Sequence, residues 1–164
     1  MSILQNILNK AGGGLINGDW WRTQLLNELG EPNIDVDFSD TGGFAPGKIY
    51  FYQYEAITER LPYYDKYPLT YVIRIEGDGF LGCNLHYVRL TQRDELAKSL
   101  LNNSAQGAVS VPRRTLHKYL YTGVKDIIFP IPEDEWSDVA QLPTEEFVDM
   151  RGIAVPRNKV YSKT

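Results

Sequence analysis

The chain has one cysteine, two histidines and no apolar run approaching the roughly 20 residues that a membrane-spanning helix needs. A lone Cys83 excludes an internal disulfide and cannot by itself supply a structural zinc site. With only His86 and His117, few arrangements of imidazole with thiol or carboxylate can be built. The sequence carries no Ser-His-Asp motif, no P-loop and no paired carboxylates in a recognisable context. No catalytic, cofactor-binding or metal-ligating residue is therefore expected, and the chain is not expected to be an enzyme. The N-terminus lacks a basic stretch ahead of its short apolar segment, so no signal peptide is expected. A net charge of −4 excludes a protein that coats nucleic acid over its whole surface, while leaving room for a local basic face. What is present is globular: 43% hydrophobic and 23% charged residues over 164 positions suit one ordinary domain.

The pattern changes along the chain. Residues 2–10 place Ile3, Leu4, Ile7 and Leu8 at helical spacing, and Gly12 to Gly14 then form a hinge. A helix so short needs something to pack against, so these four residues are read as a clamp on a partner. Asp19 is expected to cap a second helix that carries Trp20 and Trp21, also assigned to partner contact, and Gly30 ends it. The segments are thus 1–14 (clamp and hinge), 15–43 (helix and loop arm), 44–150 (main domain) and 151–164 (tail).

From Gly47, alternation at period two predicts a strand with Tyr50, Tyr52 and Tyr54 on one face. A second strand runs through Leu69 to Glu76, a turn with positive φ is expected at Asp78-Gly79, and a return strand continues through Phe80 to Leu90. Leu96, Leu100 and Leu101 share the face of a predicted helix, and Pro112 to Tyr121 is predicted as another. Pro130 marks an apolar run as an edge strand, and Pro132 followed by three acids opens a short helix. Arg89 to Lys125 carries a local charge of +5 and Asp126 to Asp149 one of −8, so the blocks pair either within one molecule or between neighbours.

Several constellations mimic chemistry. Gly77, Gly79 and Gly82 spell a dinucleotide fingerprint, but they flank a hairpin instead of opening a helix. Asp65, between Pro62 and Pro68, reads as a turn residue bonded to its own backbone, for which asparagine should substitute. Arg113, Arg114 and Lys118, with Tyr119 and Tyr121 nearby, form the one nucleic-acid candidate; a solvated face or an acidic neighbour is the favoured alternative.

Two motifs are more specific: Leu61-Pro62-Tyr63-Tyr64-Asp65 with Pro68-Leu69, and Asp78-Gly79-Phe80-Leu81-Gly82 running on to Asn84, His86 and Tyr87. With Gly47 to Phe51, and with the later pieces HKYLY, EDEW and LPTEEF, the stretch from about residue 47 to residue 148 resembles a family of small structural proteins from T4-like contractile-tailed bacteriophages, including cyanophages. The resemblance implies a virion protein made in the host cytoplasm. Some relatives are tail components and some DNA end protectors. The strand and helix pattern itself predicts an α+β fold: a small, strongly bent antiparallel sheet over about residues 44–90, SH3-like in barrel form, with flanking helices. The motif residues are assigned a structural role. The favoured expectation is a non-catalytic tail component at the baseplate or a tail junction, set among other virion proteins in a symmetric assembly without membrane or cofactor. A head or neck protein touching genome DNA is the first alternative, and a small hydrolase or nuclease the second.

Overall fold

The computed structural model describes residues 17–29, 43–57, 60–104 and 111–161. The clamp residues Ile3, Leu4, Ile7 and Leu8 lie outside them. Five strands form one antiparallel sheet: β1 (Ile49–Tyr54), β3 (Leu69–Glu76), β4 (Gly79–Asn84), β5 (Leu116–Leu120) and β6 (Val124–Ile131), in the order β5-β4-β3-β1-β6. A separate pair joins β2 (Tyr64–Asp65) to β7 (Phe147–Val148). Among the described residues the α-helices are α1 (Gly18–Leu29), α2 (Arg93–Ser104), α3 (Trp136–Ala140) and α4 (Arg157–Tyr161). The expected α+β class is observed. The sheet, however, reaches residue 131 instead of closing near residue 90, because β5 and β6 supply its two edges.

Alternation along β1 divides the interior. Ile49 and Phe51 meet Trp21 and Leu25 of α1, Leu96 and Leu100 of α2, and Trp136 of α3 in the main core. Tyr50, Tyr52 and Tyr54 turn the other way, onto Phe44, Phe80 and Tyr119. The tyrosine face of β1 is therefore a buried aromatic layer, whose edge-on ring pairs include Tyr54 against Tyr119 at 5.0 Å. A bulge between Val72 and Arg74 switches the face of β3: Tyr71 and Ile73 belong to the main core, Val72 and Ile75 to the aromatic layer.

Several local expectations are corrected. Asn17, not Asp19, caps α1, its Oδ1 accepting from the Trp20 amide at 2.8 Å. Trp21, assigned to a partner surface, is 1% exposed within the main core, and Trp20 packs partly buried against it. The predicted helix over 112–121 is a single 3-10 turn, Arg113–Thr115, followed by β5. Tertiary pairing decides this, because β4 offers an open edge and Tyr119 has an aromatic layer to enter. β4 ends at Asn84 because the Asn84 side chain accepts from the His86 amide and starts a 3-10 turn over Leu85–Tyr87. Gly79 shows no positive φ; it is glycine because a Cβ there would run into the Tyr119 carbonyl oxygen. Pro130 lies on an edge strand, as expected.

Candidate functional site

The two specific motifs meet in space around Asp65, which is 1% exposed. Its Oδ1 accepts from the backbone amides of Tyr67 at 3.0 Å and Glu146 at 3.1 Å. Its Oδ2 accepts from Asn84 Nδ2 at 3.0 Å and lies 2.7 Å from His86 Nδ1. The turn expected for Asp65 is present in the Tyr67 bond, but three further partners make the residue a tie between β2, β4 and the segment before β7. The other nitrogen of His86, Nε2, lies 3.1 Å from Thr144 Oγ1.

Asp65, His86 and Thr144 thus have the carboxylate, imidazole and hydroxyl connectivity that activates a nucleophile. All three are at most 1% exposed, and none lines the hollows bordered by Tyr63 and His117, by Gln53 and Glu146, or by Val88 and Pro112. Buried and bonded to one another, the three residues tie β2, the turn after β4 and the segment before β7 together. Sequence reasoning found Asp65 and His86 but missed Thr144, whose only signal was its place in the LPTEEF piece.

A second buried hub lies alongside. Arg93 of α2 donates to the Val88, Leu142 and His86 carbonyls, to the Tyr161 hydroxyl at 2.8 Å and to Glu145 Oε2 at 2.9 Å. Burial pushes the Glu145 carboxyl up, but the pull of His86 and the hydrogen bond and charge of Arg93 outweigh it and hold the group at about 2. Arg93 and Glu145 join the basic block to the acidic block within one molecule. Burial pushes the Cys83 thiol up to about 12, which removes it as a nucleophile.

One accessible feature of the described residues is a half-open hollow of about 240 Å³ lined by Leu61, Pro62, Tyr63, Tyr87, Arg114, His117 and Val160. Tyr87, Phe147, Val160 and Tyr161 form a small core beneath it, with Tyr63 packed alongside. The Tyr87 and His117 rings contact one another, with centroids 4.0 Å apart. Burial lowers the His117 pKa below its ordinary 6.5, so a neutral ring stands in the wall at pH 7. Arg114 borders the hollow and Arg113 precedes it, exposed; among the described residues neither is in an ion pair. Arg60 directly precedes Leu61, and Arg157 and Lys159 share α4 with Val160. Lys118, grouped with the two arginines by sequence, points elsewhere: its ammonium lies 2.7 Å from Asp78 and 3.9 Å from Glu76. The nucleic-acid candidate thus loses Lys118 and gains the motif residues Leu61, Pro62, Tyr63 and Tyr87. Among the described residues no cluster of histidine, cysteine and carboxylate could hold a metal ion, and no helix is long and apolar enough to cross a membrane.

Residues 39–118, just under half of the chain, match the family model of the phage T4 terminal DNA protecting protein. That stretch contains β1 to β4 and the first three residues of β5, the residues Asp65, Asn84 and His86, and six of the seven residues lining the hollow. The match supports a virion protein of the T4-like phages. It favours the DNA-end alternative over a tail or baseplate component, for which nothing comparable is found. No curated protein and no solved structure matches the chain.

Proposed function

We propose that this chain is a non-catalytic phage virion protein that binds the ends of duplex DNA and shields them from exonucleases. The observation that carries the reading is the likeness of residues 39–118 to a terminal DNA protecting protein, in a stretch that includes Arg113, Arg114 and the aromatic hollow. The physical chemistry is compatible. Phosphate contacts supply most non-specific affinity for DNA, and they require only a local patch of arginine on an otherwise acidic surface. A net charge of −4 disfavours coating of long DNA, as suits a protein that acts only at ends. The sealed Asp65-His86-Thr144 arrangement supports a role that depends on shape over one that depends on a reaction.

The test is a digestion assay on linear duplex with labelled ends, beside a closed circular duplex treated with an endonuclease. The wild-type protein should slow exonuclease digestion from the ends and leave endonuclease cutting of the circle unchanged. The double change Arg113→Glu/Arg114→Glu should abolish protection without altering the thermal melt. It should also reduce the salt dependence of binding, by about one unit of log-log slope for each phosphate that is no longer neutralised. Exonuclease digestion at the unprotected rate, at protein concentrations that saturate any binding, would overturn the proposal.

A further inference from the structure

We infer that the hollow between the Leu61-Pro62-Tyr63 segment and His117 receives one unpaired nucleobase at a DNA end, stacked among the rings of Tyr63, Tyr87 and His117 with the adjoining phosphate at Arg114. The inference rests on the DNA-end reading above and adds to it the site and the chemical class of the bound group. The occupant follows from size, lining and charge. An apolar cavity of about 150 Å³ admits a single benzene ring. A hollow of about 240 Å³ therefore holds one heterocycle but not a base pair. The lining is chiefly apolar and aromatic, with no carboxylate among its residues. Such walls suit the π-face of a base whatever its identity, as sequence-tolerant binders of single strands require. His117, packed on the Tyr87 ring and neutral at pH 7, extends the aromatic wall without adding a competing charge.

Two other hollows of the described residues do not offer the same terms. The one bordered by Gln53, Glu55, Tyr64, Lys66 and Glu146 presents two carboxylates, which repel a phosphate backbone. The one between Val88, Glu95 and Pro112 has no aromatic lining, although it shares Arg114. Arg114 thus borders both the base-sized hollow and that depression, whose Glu95 carboxylate makes it the poorer seat for a phosphate. Leu61, at 37% exposed, is one of the large apolar side chains left at the surface among the described residues, and it lines the hollow.

The probe is a duplex ending in a short single-stranded overhang whose terminal nucleotide is 2-aminopurine, a base whose emission falls when it stacks. A control duplex carries the same analogue paired in the interior, and exonuclease protection is measured on both. With the wild-type protein, emission of the terminal analogue should drop while that of the interior analogue stays unchanged. Tyr63→Leu and His117→Leu, which keep apolar bulk and remove the ring, should each weaken binding of the overhang duplex by about tenfold, within the range measured for loss of one base-aromatic stack. The wild-type emission change needs no variant to fold. If the wild-type protein protects ends but the terminal analogue keeps its emission, or if both folded variants bind the overhang as tightly as wild type, the hollow is not the base site and the DNA-end reading stands without it. If the wild-type protein neither binds nor protects ends, both proposals fall.

Discussion

Replacing Asp65 by Asn changes one carboxylate oxygen into an amide NH2 group and removes one charge, and the structure fixes what each change costs. If the amide nitrogen takes the place of Oδ1, it faces the backbone N–H groups of Tyr67 and Glu146, which have no alternative acceptor within the network. If it takes the place of Oδ2, it faces Asn84 Nδ2 and His86 Nδ1. The second placement is cheaper, because the Tyr67 and Glu146 amides keep an oxygen acceptor and, with the carboxylate gone, a His86 ring carrying its one proton on Nε2 accepts at Nδ1 and donates to Thr144 Oγ1. One orphaned donor then remains at Asn84, worth about 1–3 kcal/mol when buried, and the bonds from Tyr67 and Glu146 lose their charge assistance. The expected destabilisation is about 2–4 kcal/mol, which for a domain of this length lowers the melting temperature by about 5–15 °C. Asp65→Leu orphans all four donors and should leave no folded protein at 37 °C, a temperature at which a loss above about 5 kcal/mol is rarely survived. The swap Asp65→Asn/Asn84→Asp gives the new amide an acceptor at position 84, and the carboxylate introduced there can still accept from the Leu69 and His86 amides. The swap should recover at least about 1 kcal/mol relative to Asp65→Asn alone. Differential scanning calorimetry of the three variants reads all of this. A melt for Asp65→Asn within about 2–3 °C of wild type, on the order of the noise in such comparisons, would refute the account and restore the plain turn residue expected from sequence.

Two further outcomes follow from the packing. Gly79→Ala drives a Cβ into the Tyr119 carbonyl and should cost about 1–3 kcal/mol, whereas Gly77→Ala in the adjoining turn meets nothing within 4 Å and should stay within about 0.5 kcal/mol of wild type; urea midpoints that rank the two equally would contradict this. Glu145 is held at about 2 against an ordinary 4.5, so the unfolded chain binds the proton more readily: the stabilisation is complete above about pH 5, is lost as the pH falls toward 2, and amounts to roughly 3 kcal/mol. Denaturant midpoints should therefore fall steeply over that range, with a visibly shallower slope in Glu145→Gln, and an equal slope in both proteins would count against the Arg93-Glu145 hub.

Local chemistry was legible wherever it was decided within a few residues. The period-two alternation of Ile49 to Tyr54, the strand over Leu69 to Glu76 up to its bulge, the hairpin between Glu76 and Gly79, the proline of an edge strand and the acids opening the turn before α3 all appear where the sequence puts them. Steric preference and solvent contrast act over that range without help from the rest of the chain. What failed depended on distant partners. Leu116 to Leu120 became a strand because β4 offered an unpaired edge, which outweighs a weak helical preference. Trp21 entered the core because a sheet face was there to receive it. Thr144, Glu145 and Arg93 joined Asp65 and His86 in one buried network only once the chain had folded back on itself. The candidate site divides in the same way. Its arginines and its two motifs were visible as letters, but their convergence on one hollow and the diversion of Lys118 to Asp78 were not. A charge or a ring acts over a few ångströms of space, and only the tertiary structure sets which residues share that space.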